Sequence, residues 1–374
     1  MRKWAVRVHR WTGLTLGLVL VVLGLSGSFN VFHREVDAWL NPAYWEAQAR
    51  AKLRPSEALA LAQARYPQMK APLLGLPVDG GPYTLTFRDE ALAADGRQFQ
   101  LAIDPGTGEI TGPRVHWGGL SFSKSQFVRT LYRLHYELLA PPWGHTLVGL
   151  SGLFLVGLIV LGVVLWWPRN GNWRKAFAFK RSAHIVRQMF DAHRLIGVVS
   201  ALVLLFSGFS GSYIVFPDEF HAATALFGNA ESLPRTVLSQ TPGRGINMEK
   251  AIAIATAQFD DATPFNVSPP NGDYGTYRVR LRRTAEAHLL GRTFVWIEPA
   301  TGNIVRIHDY TEQRGINRFY AWQFPLHNGT LFGMPGRIVV FIAGLAPLAL
   351  LVSGLIVWRQ KARARRIPIK QQVR

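Results

Sequence analysis

Four long apolar segments alternate with two long polar segments along the chain. The apolar segments carry no charged residue and span residues 11–32, 145–167, 195–216 and 338–358. A helix rises about 1.5 Å per residue, so segments of this length reach roughly 30 Å or more, enough to cross the hydrocarbon core of a bilayer. The pattern therefore predicts an integral membrane protein with four transmembrane helices.

The two polar segments, 33–144 and 217–337, each predict a small α+β domain. The first contains an amphipathic helical pattern over Pro55–Tyr66, and the second contains one over Met248–Phe259. Runs with strand character follow both helices. The predicted strands are Tyr83–Phe87, Gln98–Ile103, Glu109–Thr111, Tyr277–Leu281 and Thr293–Glu298.

Similar motifs recur at a nearly constant separation in the two halves of the chain. The turn sequence Asp104–Gly108 is matched by Glu298–Gly302, 194 residues later, and Leu134-His135 is matched by Leu326-His327, 192 residues later. This repetition predicts an internal duplication, in which each half is a helix, an α+β domain and a returning helix. Since each half crosses the membrane twice, we expect a pseudo-twofold axis along the membrane normal and a four-helix transmembrane bundle.

The formal net charge of +19 is concentrated beside the apolar segments. Residues 1–10, 168–194 and 359–374 hold 18 Lys and Arg residues and a single acidic residue, Asp191. By the positive-inside rule, these three segments and both termini are predicted to be cytoplasmic, and both polar domains extracytoplasmic. The excess charge forms no basic face on a folded domain, so the distribution argues against a nucleic-acid partner.

The first apolar segment is predicted to be an uncleaved helix, because it exceeds the usual length of a signal-peptide core and no small-residue cleavage motif follows it. The predicted parts of the chain are a cytoplasmic N terminus with the first transmembrane helix (1–32), a first extracytoplasmic domain (33–144), a second helix (145–167), a cytoplasmic basic loop (168–194), a third helix (195–216), a second extracytoplasmic domain (217–337), a fourth helix (338–358) and a cytoplasmic tail (359–374).

The sequence has no cysteine and 11 histidines. It therefore cannot form disulfides, a cysteine-ligated iron–sulfur cluster or a covalent haem attachment site. A haem would have to be non-covalent and held by other ligands, of which histidine is the most available. Zinc is disfavoured because the sequence lacks a compact H-E-x-x-H motif.

Two pairs of histidines occupy equivalent places in the two halves. His9 and His193 stand at the predicted cytoplasmic ends of their helices, each followed by an arginine, and each has a glycine four residues later. A glycine on the same helix face leaves room for a flat ring beside the histidine. Arg10 or Arg194 could pair bidentately with a haem propionate.

His135 and His327 form the second pair, near the opposite membrane face. His33 and His145 lie near the same face, and either could replace a symmetric partner. From His9 to His33 is 24 residues, or about 36 Å along a helix, so two haems explain the positions better than one. A capping or interfacial role is the simpler interpretation for any single histidine, but two symmetric pairs favour ligation. Two haems at opposite faces would form an electron path across the bilayer.

The chain resembles the PepSY-associated transmembrane family of iron-regulated bacterial inner-membrane proteins. The motifs that carry the resemblance are His9-Arg10 before the first helix, Asp104-Pro-Gly-Thr-Gly-Glu109, Leu134-His135 before the second helix, and Leu326-His-Asn-Gly329 before the fourth. Within this family the chain looks most like the FoxB-type ferrisiderophore reductases. The resemblance implies two periplasmic PepSY-like domains, four helices, two b-type haems and reduction of a ferric siderophore.

The expected function is therefore a di-haem inner-membrane reductase that releases Fe(II) from a periplasmic ferric siderophore, with the hydroxamate type as one candidate. Membrane lipid and an unidentified electron donor, either a quinol or a cytoplasmic reductase, are the other expected partners. Two alternatives stay open: a siderophore or iron permease component, and a non-enzymatic binding or regulatory membrane protein.

Overall fold

Each of the four apolar segments forms a single α-helix. The computed structural model describes residues 2–48, 52–168, 170–228, 230–231, 233–234 and 236–366. Four of its helices are long and apolar enough to span a membrane, which agrees with the prediction. The α-helices are α1 (Arg2–Val31), α2 (His33–Leu40), α3 (Pro55–Arg65), α4 (Phe127–Glu137), α5 (Trp143–Trp166), α6 (Trp173–Ala176), α7 (Ile185–Val215), α8 (Pro217–Ala223), α9 (Met248–Thr256), α10 (Gly315–Ala321), α11 (Gln323–Asn328) and α12 (Gly333–Arg366). Short 3₁₀ turns lie at Pro42–Tyr44, Ala225–Phe227 and Thr330–Phe332.

The long helices extend past the apolar segments at their basic ends. Helix α1 begins at Arg2, α7 begins at Ile185, ten residues before the predicted start, and α12 continues to Arg366. Basic side chains suit such ends because their alkyl stems cover apolar surface while the charge stays in water. Met1, Arg169 and residues 367–374 of the predicted tail lie outside the described residues.

One compact unit comprises Met1–Val31, Leu131–Ala223 and Gln323–Arg374 and contains the four long helices; we call it the membrane unit. Helices α1 and α7 each pack against both α5 and α12, so the four helices form a ring. This order places α1 and α7 at opposite corners of the ring, and α5 and α12 at the other two.

Two of the helix crossings in the membrane unit depend on glycine pairs. A methyl group on Gly24 of α1 would overlap the carbonyl oxygen of Gly344 on α12, and one on Gly152 of α5 would overlap that of Gly208 on α7. Close backbone approach through small residues is typical of helix packing in membranes, where there is no hydrophobic drive between helices. The apolar segments therefore carry glycine where neighbouring helices cross.

The second compact unit comprises Phe32–Thr130 and Thr224–Trp322; we call it the sheet unit. Its strands form one eight-stranded sheet in which all neighbours are antiparallel, in the order β4-β3-β2-β1-β5-β6-β7-β8. The strands are β1 (Lys70–Gly75), β2 (Tyr83–Arg88), β3 (Gln98–Ile103), β4 (Ile110–Trp117), β5 (Ala262–Ser268), β6 (Tyr277–Arg283), β7 (Thr293–Ile297) and β8 (Ile304–His308). The predicted turns Asp104–Gly108 and Glu298–Gly302 connect β3 to β4 and β7 to β8.

The two predicted α+β segments, 33–144 and 217–337, contribute four strands each to this one sheet. Strands β1 and β5 pair with each other, with Leu74 opposite Val267 and Gly75 opposite Asn266. One face of the joined sheet and helices α3 and α9 share a single hydrophobic core. Each predicted domain has an unpaired strand edge of its own, and pairing the two edges satisfies both sets of backbone groups.

Neither of the two strands that make this joint was predicted from the sequence pattern. Each contains a proline, Pro72 in β1 and Pro264 in β5, and a proline argues against a central strand because it cannot donate to the ladder. In the structure, the register shifts at both positions, between Lys70 and Leu73 and between Pro264 and Asn266. These irregularities accommodate the prolines and hide the strand pattern.

A buried ion pair lies on the other side of the sheet unit. Asp37 of α2 accepts hydrogen bonds from both terminal nitrogens of Arg114 on β4, at 3.0 and 2.8 Å, and also from Asn41 and Trp45. The side-chain amide oxygen of Gln100 accepts two more from Arg114. The two charged side chains are only 2% exposed, and the network provides partners for both charges.

Candidate functional site

The structure brings His9 and His193 together in the membrane unit. His9 lies on α1 and His193 on α7, and their ring centroids are 6.3 Å apart with nearly perpendicular planes. The two helices stand at opposite corners of the helix ring, so the two imidazoles meet across its interior.

The second pair is His135 and His327, as the symmetry of the sequence predicts. Their ring centroids are 5.9 Å apart. His135 lies near the end of α4 and His327 near the end of α11. Burial lowers the pKa of His135, and burial together with the neighbouring His135 lowers the pKa of His327 to about 4. Both rings are therefore neutral at pH 7, which is the state in which imidazole binds a metal.

All four imidazoles rest on a glycine of a neighbouring long helix. A methyl group built on that glycine would lie 2.8 to 3.5 Å from the Cε1 atom of the ring. The histidine–glycine contacts are His135 with Gly27, His327 with Gly211, His9 with Gly162 and His193 with Gly354. At Gly27 and Gly211 an added methyl group would press on the ring, whereas at Gly162 and Gly354 it would make ordinary van der Waals contact with it.

A serine precedes the glycine in three of the four contacts. The Nδ1 atom of His135 lies 2.9 Å from the Leu23 carbonyl oxygen and 3.3 Å from the Ser26 hydroxyl oxygen. The Nδ1 atom of His327 lies 3.1 Å from the Ser207 carbonyl oxygen and 3.0 Å from the Ser210 hydroxyl.

His193 repeats this arrangement, and His9 does so only in part. The Nδ1 atom of His193 lies 3.0 Å from the Leu350 carbonyl oxygen and 3.2 Å from the Ser353 hydroxyl. Beside His9 the corresponding carbonyl is that of Leu158, but the Nδ1 atom forms no hydrogen bond of normal geometry within the described residues.

These contacts determine which nitrogen carries the proton. A backbone carbonyl can only accept, so the Nδ1 atoms of His135, His193 and His327 donate, and each Nε2 keeps its lone pair. In the described part of the chain, no hydrogen bond reaches the Nε2 of these three histidines or of His9. An Nδ1–H bonded to a carbonyl with a free Nε2 is the arrangement by which proteins orient a metal-binding histidine.

The spacing within each pair fits two imidazoles on one metal. A metal–imidazole bond is about 2.0–2.1 Å and the ring centroid lies about 1 Å beyond the nitrogen, so two axial imidazoles place their centroids about 6 Å apart. The observed separations of 6.3 and 5.9 Å match this value. Among the described residues, no group of three or more His, Cys, Asp or Glu could hold a metal ion. The donor set is two imidazoles per site, which suits a haem iron whose other four ligands come from the porphyrin.

The glycines four residues after the histidines differ in their surroundings. A methyl group on Gly13 would meet nothing within 4 Å, and one on Gly197 would meet only Leu350, at 3.7 Å. Neither Gly13 nor Gly197 is therefore closed off by a neighbouring helix. Gly149, four residues after His145, has no such room. A methyl group there would overlap the side chains of Val215, the last residue of α7, and Phe216, the residue that follows it.

The two alternative ligands, His33 and His145, are not part of either pair. His33 begins α2 in the sheet unit. His145 lies in the first turn of α5 and packs against Tyr136, with ring centroids 4.6 Å apart. Its Nε2 is buried and has no hydrogen-bond partner in the described part of the chain.

The two arginines proposed for propionate binding have different environments. Arg194 forms an ion pair at 3.2 Å with the fully buried Asp191, which Arg187 also contacts. Arg10 lies over the Trp11 ring, 5.5 Å from its centroid, and its buried Nε has no hydrogen-bond partner among the described residues. The Nε of Arg194 is also buried without a hydrogen-bond partner among the described residues, but its terminal nitrogen already contacts Asp191 and the Ala178 carbonyl, so Arg10 is the better placed of the two to receive an anionic group.

The serine and glycine residues that contact the rings were not predicted from the sequence. Their signal is a Ser-Gly dipeptide inside an apolar segment, at Ser26-Gly27, Ser210-Gly211 and Ser353-Gly354. A serine in a membrane helix is common, since its hydroxyl can bond to a carbonyl of its own helix, so the dipeptide alone does not identify a histidine contact.

The fold and the site together define a four-helix membrane protein with two facing histidine pairs and a separate antiparallel sheet unit. The chain belongs to the PepSY-associated transmembrane family, because the model of this family, described as the PepSY-associated TM region, matches residues 6–361. A search of curated proteins found no significant match.

Proposed function

We propose that this protein is a di-haem membrane reductase that transfers electrons to ferric iron held by a siderophore and releases Fe(II) during iron uptake. The observation that carries the proposal is the geometry of the two histidine pairs. In each pair, two imidazoles lie about 6 Å apart with free Nε2 atoms, and buried neutral histidines beside membrane spans are functional candidates by default.

The ligand assignment follows from the pairs. His9 and His193 would hold one b-type haem, and His135 and His327 the other. Bound haem supplies one-electron transfer, and the protein adjusts its potential through the axial ligands, their hydrogen bonds and burial. The carbonyls of Leu23, Ser207 and Leu350 keep three of the four ligands in the tautomer that leaves Nε2 unprotonated.

The proposal includes an internal duplication and an orientation in the bacterial inner membrane. The strand order of the sheet, which is symmetrical about the β1–β5 pair, and the recurrence of the histidine–glycine contacts support the duplication. The clustering of basic residues at 1–10, 168–194 and 359–374 supports cytoplasmic termini and a periplasmic sheet unit.

The substrate class follows from the resemblance to ferrisiderophore reductases and from metal chemistry. Hard oxygen ligands such as hydroxamates bind Fe(III) more strongly than Fe(II). One electron from the donor, a quinol or a cytoplasmic reductase, reduces the chelated Fe(III) to Fe(II), which the siderophore then holds weakly. No bond within the chelator has to break.

Haem counting tests the ligand assignment. The full-length protein, purified in detergent from haem-replete cells, should show a reducible low-spin spectrum and two b-type haems per chain. His9→Ala or His193→Ala should remove one haem, and His135→Ala or His327→Ala the other. His184→Ala is the matched control, because this exposed histidine lies in the membrane unit outside both pairs, and it should keep both haems.

A second measurement tests the reaction. Protein reduced beforehand should be reoxidised by a ferric trihydroxamate, and a ferrous chelator should trap one Fe(II) per electron. Folded, monodisperse protein without haem would refute the reductase and support the permease or regulatory alternative. Haem-loaded protein that no ferric siderophore reoxidises would refute the substrate class.

A further inference from the structure

The four histidine contacts are equivalent except at one position. In three of them the dipeptide under the ring is Ser-Gly, and in the fourth, under His9, it is Leu161-Gly162. The hydroxyl that Ser353 presents to His193 therefore has no counterpart beside His9. The pair His135 and His327 has two such hydroxyls, from Ser26 and Ser210.

The three serines act in the same way. Each donates its hydroxyl hydrogen to the carbonyl four residues earlier on its own helix: Ser26 to Val22 at 2.6 Å, Ser210 to Phe206 at 2.5 Å, and Ser353 to Ala349 at 2.6 Å. With its hydrogen engaged there, the hydroxyl oxygen accepts from the histidine Nδ1–H, which the carbonyl three residues before the serine accepts as well. Each of these histidines thus donates to two oxygens at once.

We propose that this difference gives the two centres different reduction potentials, with the His9–His193 centre the higher. Hydrogen bonds accepted from Nδ1–H push electron density onto Nε2 and make the imidazole a stronger donor to the metal. A stronger donor stabilises the ferric state and lowers the potential. Ser26, Ser210 and Ser353 are positioning residues in this sense, since they act on the iron through a histidine.

The inference rests on the proposed function, because it requires a haem at each pair. It adds an energetic order to that function. The His135–His327 centre, with both ligands doubly hydrogen-bonded, would be the stronger reductant of the two. An electron that passes to it from the His9–His193 centre moves to a lower potential, so this internal step is uphill and depends on the reduction of the chelated ferric ion that follows it.

A redox titration of the purified full-length protein tests the proposal. The wild type should show two midpoint potentials, and the higher one should disappear in His9→Ala while the lower one remains. Leu161→Ser supplies the missing hydroxyl and should shift only the higher potential downward. Leu161→Ala removes the same bulk without adding a hydroxyl, so it should not reproduce the downward shift.

Serine removal gives the reciprocal test. Ser353→Ala should shift the higher potential upward, while Ser26→Ala and Ser210→Ala should shift the lower potential upward, each with two haems retained and an altered low-spin ferric spectrum at the affected centre. Loss of the lower rather than the higher potential in His9→Ala would overturn the proposal. So would an unchanged potential in both Leu161→Ser and Ser353→Ala. If Leu161→Ser fails to assemble haem, the wild-type assignment and Ser353→Ala decide the question. Wild-type protein without haem would instead refute the proposed function.

Discussion

Buried ionisable side chains are used differently in the two units. In the membrane unit, four histidines meet in two pairs, and within the described residues none of their Nε2 atoms has a hydrogen-bond partner. In the sheet unit, the side chains of Asp37 and Arg114 are only 2% exposed, and each charge is met by several hydrogen bonds. A fully satisfied network indicates a structural role, whereas two imidazoles whose ring centroids lie about 6 Å apart and whose Nε2 atoms have no hydrogen-bond partner in the described part of the chain indicate a place for a ligand.

The sheet unit also has buried histidines, and they strengthen the contrast. His116 on β4 is not paired with a second histidine in the described part of the chain. Burial and the positive charges of Arg129 and Arg114 lower its pKa to about 3. A neutral imidazole is therefore not enough to define a site. The paired arrangement in the membrane unit is what distinguishes the candidate ligands.

The largest expected effect comes from displacing one of the paired histidines in the membrane unit. In Gly27→Ala, the new methyl group would lie 2.8 Å from Cε1 of His135, so the ring has to move. We expect the loss of most haem from the His135–His327 centre. Gly211→Ala, at 3.1 Å from His327, should lose less, and Gly162→Ala and Gly354→Ala, at 3.4 and 3.5 Å, should lose little. The number of haems per chain, determined after purification, allows the four variants to be compared.

Gly157→Ala is the control for this series, because a methyl group there meets nothing within 4 Å on the same helix that carries Gly162. It should keep both haems. Equal haem loss at all five positions would show that helix flexibility, and not ring placement, explains the glycines.

The next largest effect comes from removing one partner of the buried ion pair in the sheet unit. Arg114→Met leaves the Asp37 carboxylate buried without its partner, which should cost about 3–5 kcal/mol of stability in the sheet unit. Hydrogen exchange followed by mass spectrometry should show faster exchange in β2 and β3. Because both halves share one core, exchange should also rise in β6 and β7. Haem content should stay unchanged.

The exposed ion pair of Lys70 and Glu90 provides the matched control, since both side chains are more than 60% exposed. Lys70→Met should change stability by no more than about 0.5 kcal/mol. A rise in exchange confined to β2–β4 after Arg114→Met would mean that the two halves of the sheet unfold separately.

Local patterns in the sequence were enough for part of this architecture. The four spans follow from segment length and the exclusion of charge, and the turns Asp104–Gly108 and Glu298–Gly302 follow from their proline and glycine content. The equivalence of His135 and His327 in the two halves follows from their sequence positions. None of these requires knowledge of which helix or strand lies beside which.

The remainder depends on packing between distant segments. Strands β1 and β5 pair across nearly 200 residues of sequence, and their prolines hide them from a pattern search. Likewise, no local feature of Ser353-Gly354 shows that His193, on another helix, lies against it. The choice between His327, His33 and His145 as the partner of His135 also depended on this arrangement.

The smallest expected effect concerns two carboxylates that support the sheet unit's turns. Burial would raise the pKa of Asp104, but hydrogen bonds from the backbone of Thr107, Gln48 and Gly106 outweigh it and hold the pKa at about 2. Hydrogen bonds from Thr301, Ser239 and Thr241 lower the pKa of Glu298 to about 2 as well.

Both folded pKa values lie below the ordinary ones of 3.8 and 4.5, so the carboxylates stabilise the sheet unit above about pH 4.5 and lose this effect as the pH falls toward 2. For Asp104 the loss should be about 1 kcal/mol after allowance for solvent screening. Asp104→Asn should therefore flatten the acid limb of a stability–pH curve, measured by the fluorescence of the buried Trp296 during denaturant unfolding at each pH. The exposed Asp95, whose partner is Arg97, supplies the comparison, and Asp95→Asn should leave the curve nearly parallel to the wild type. If Asp104→Asn retained the full acid dependence, the Asp104 carboxylate would not be a group that links pH to the stability of the sheet.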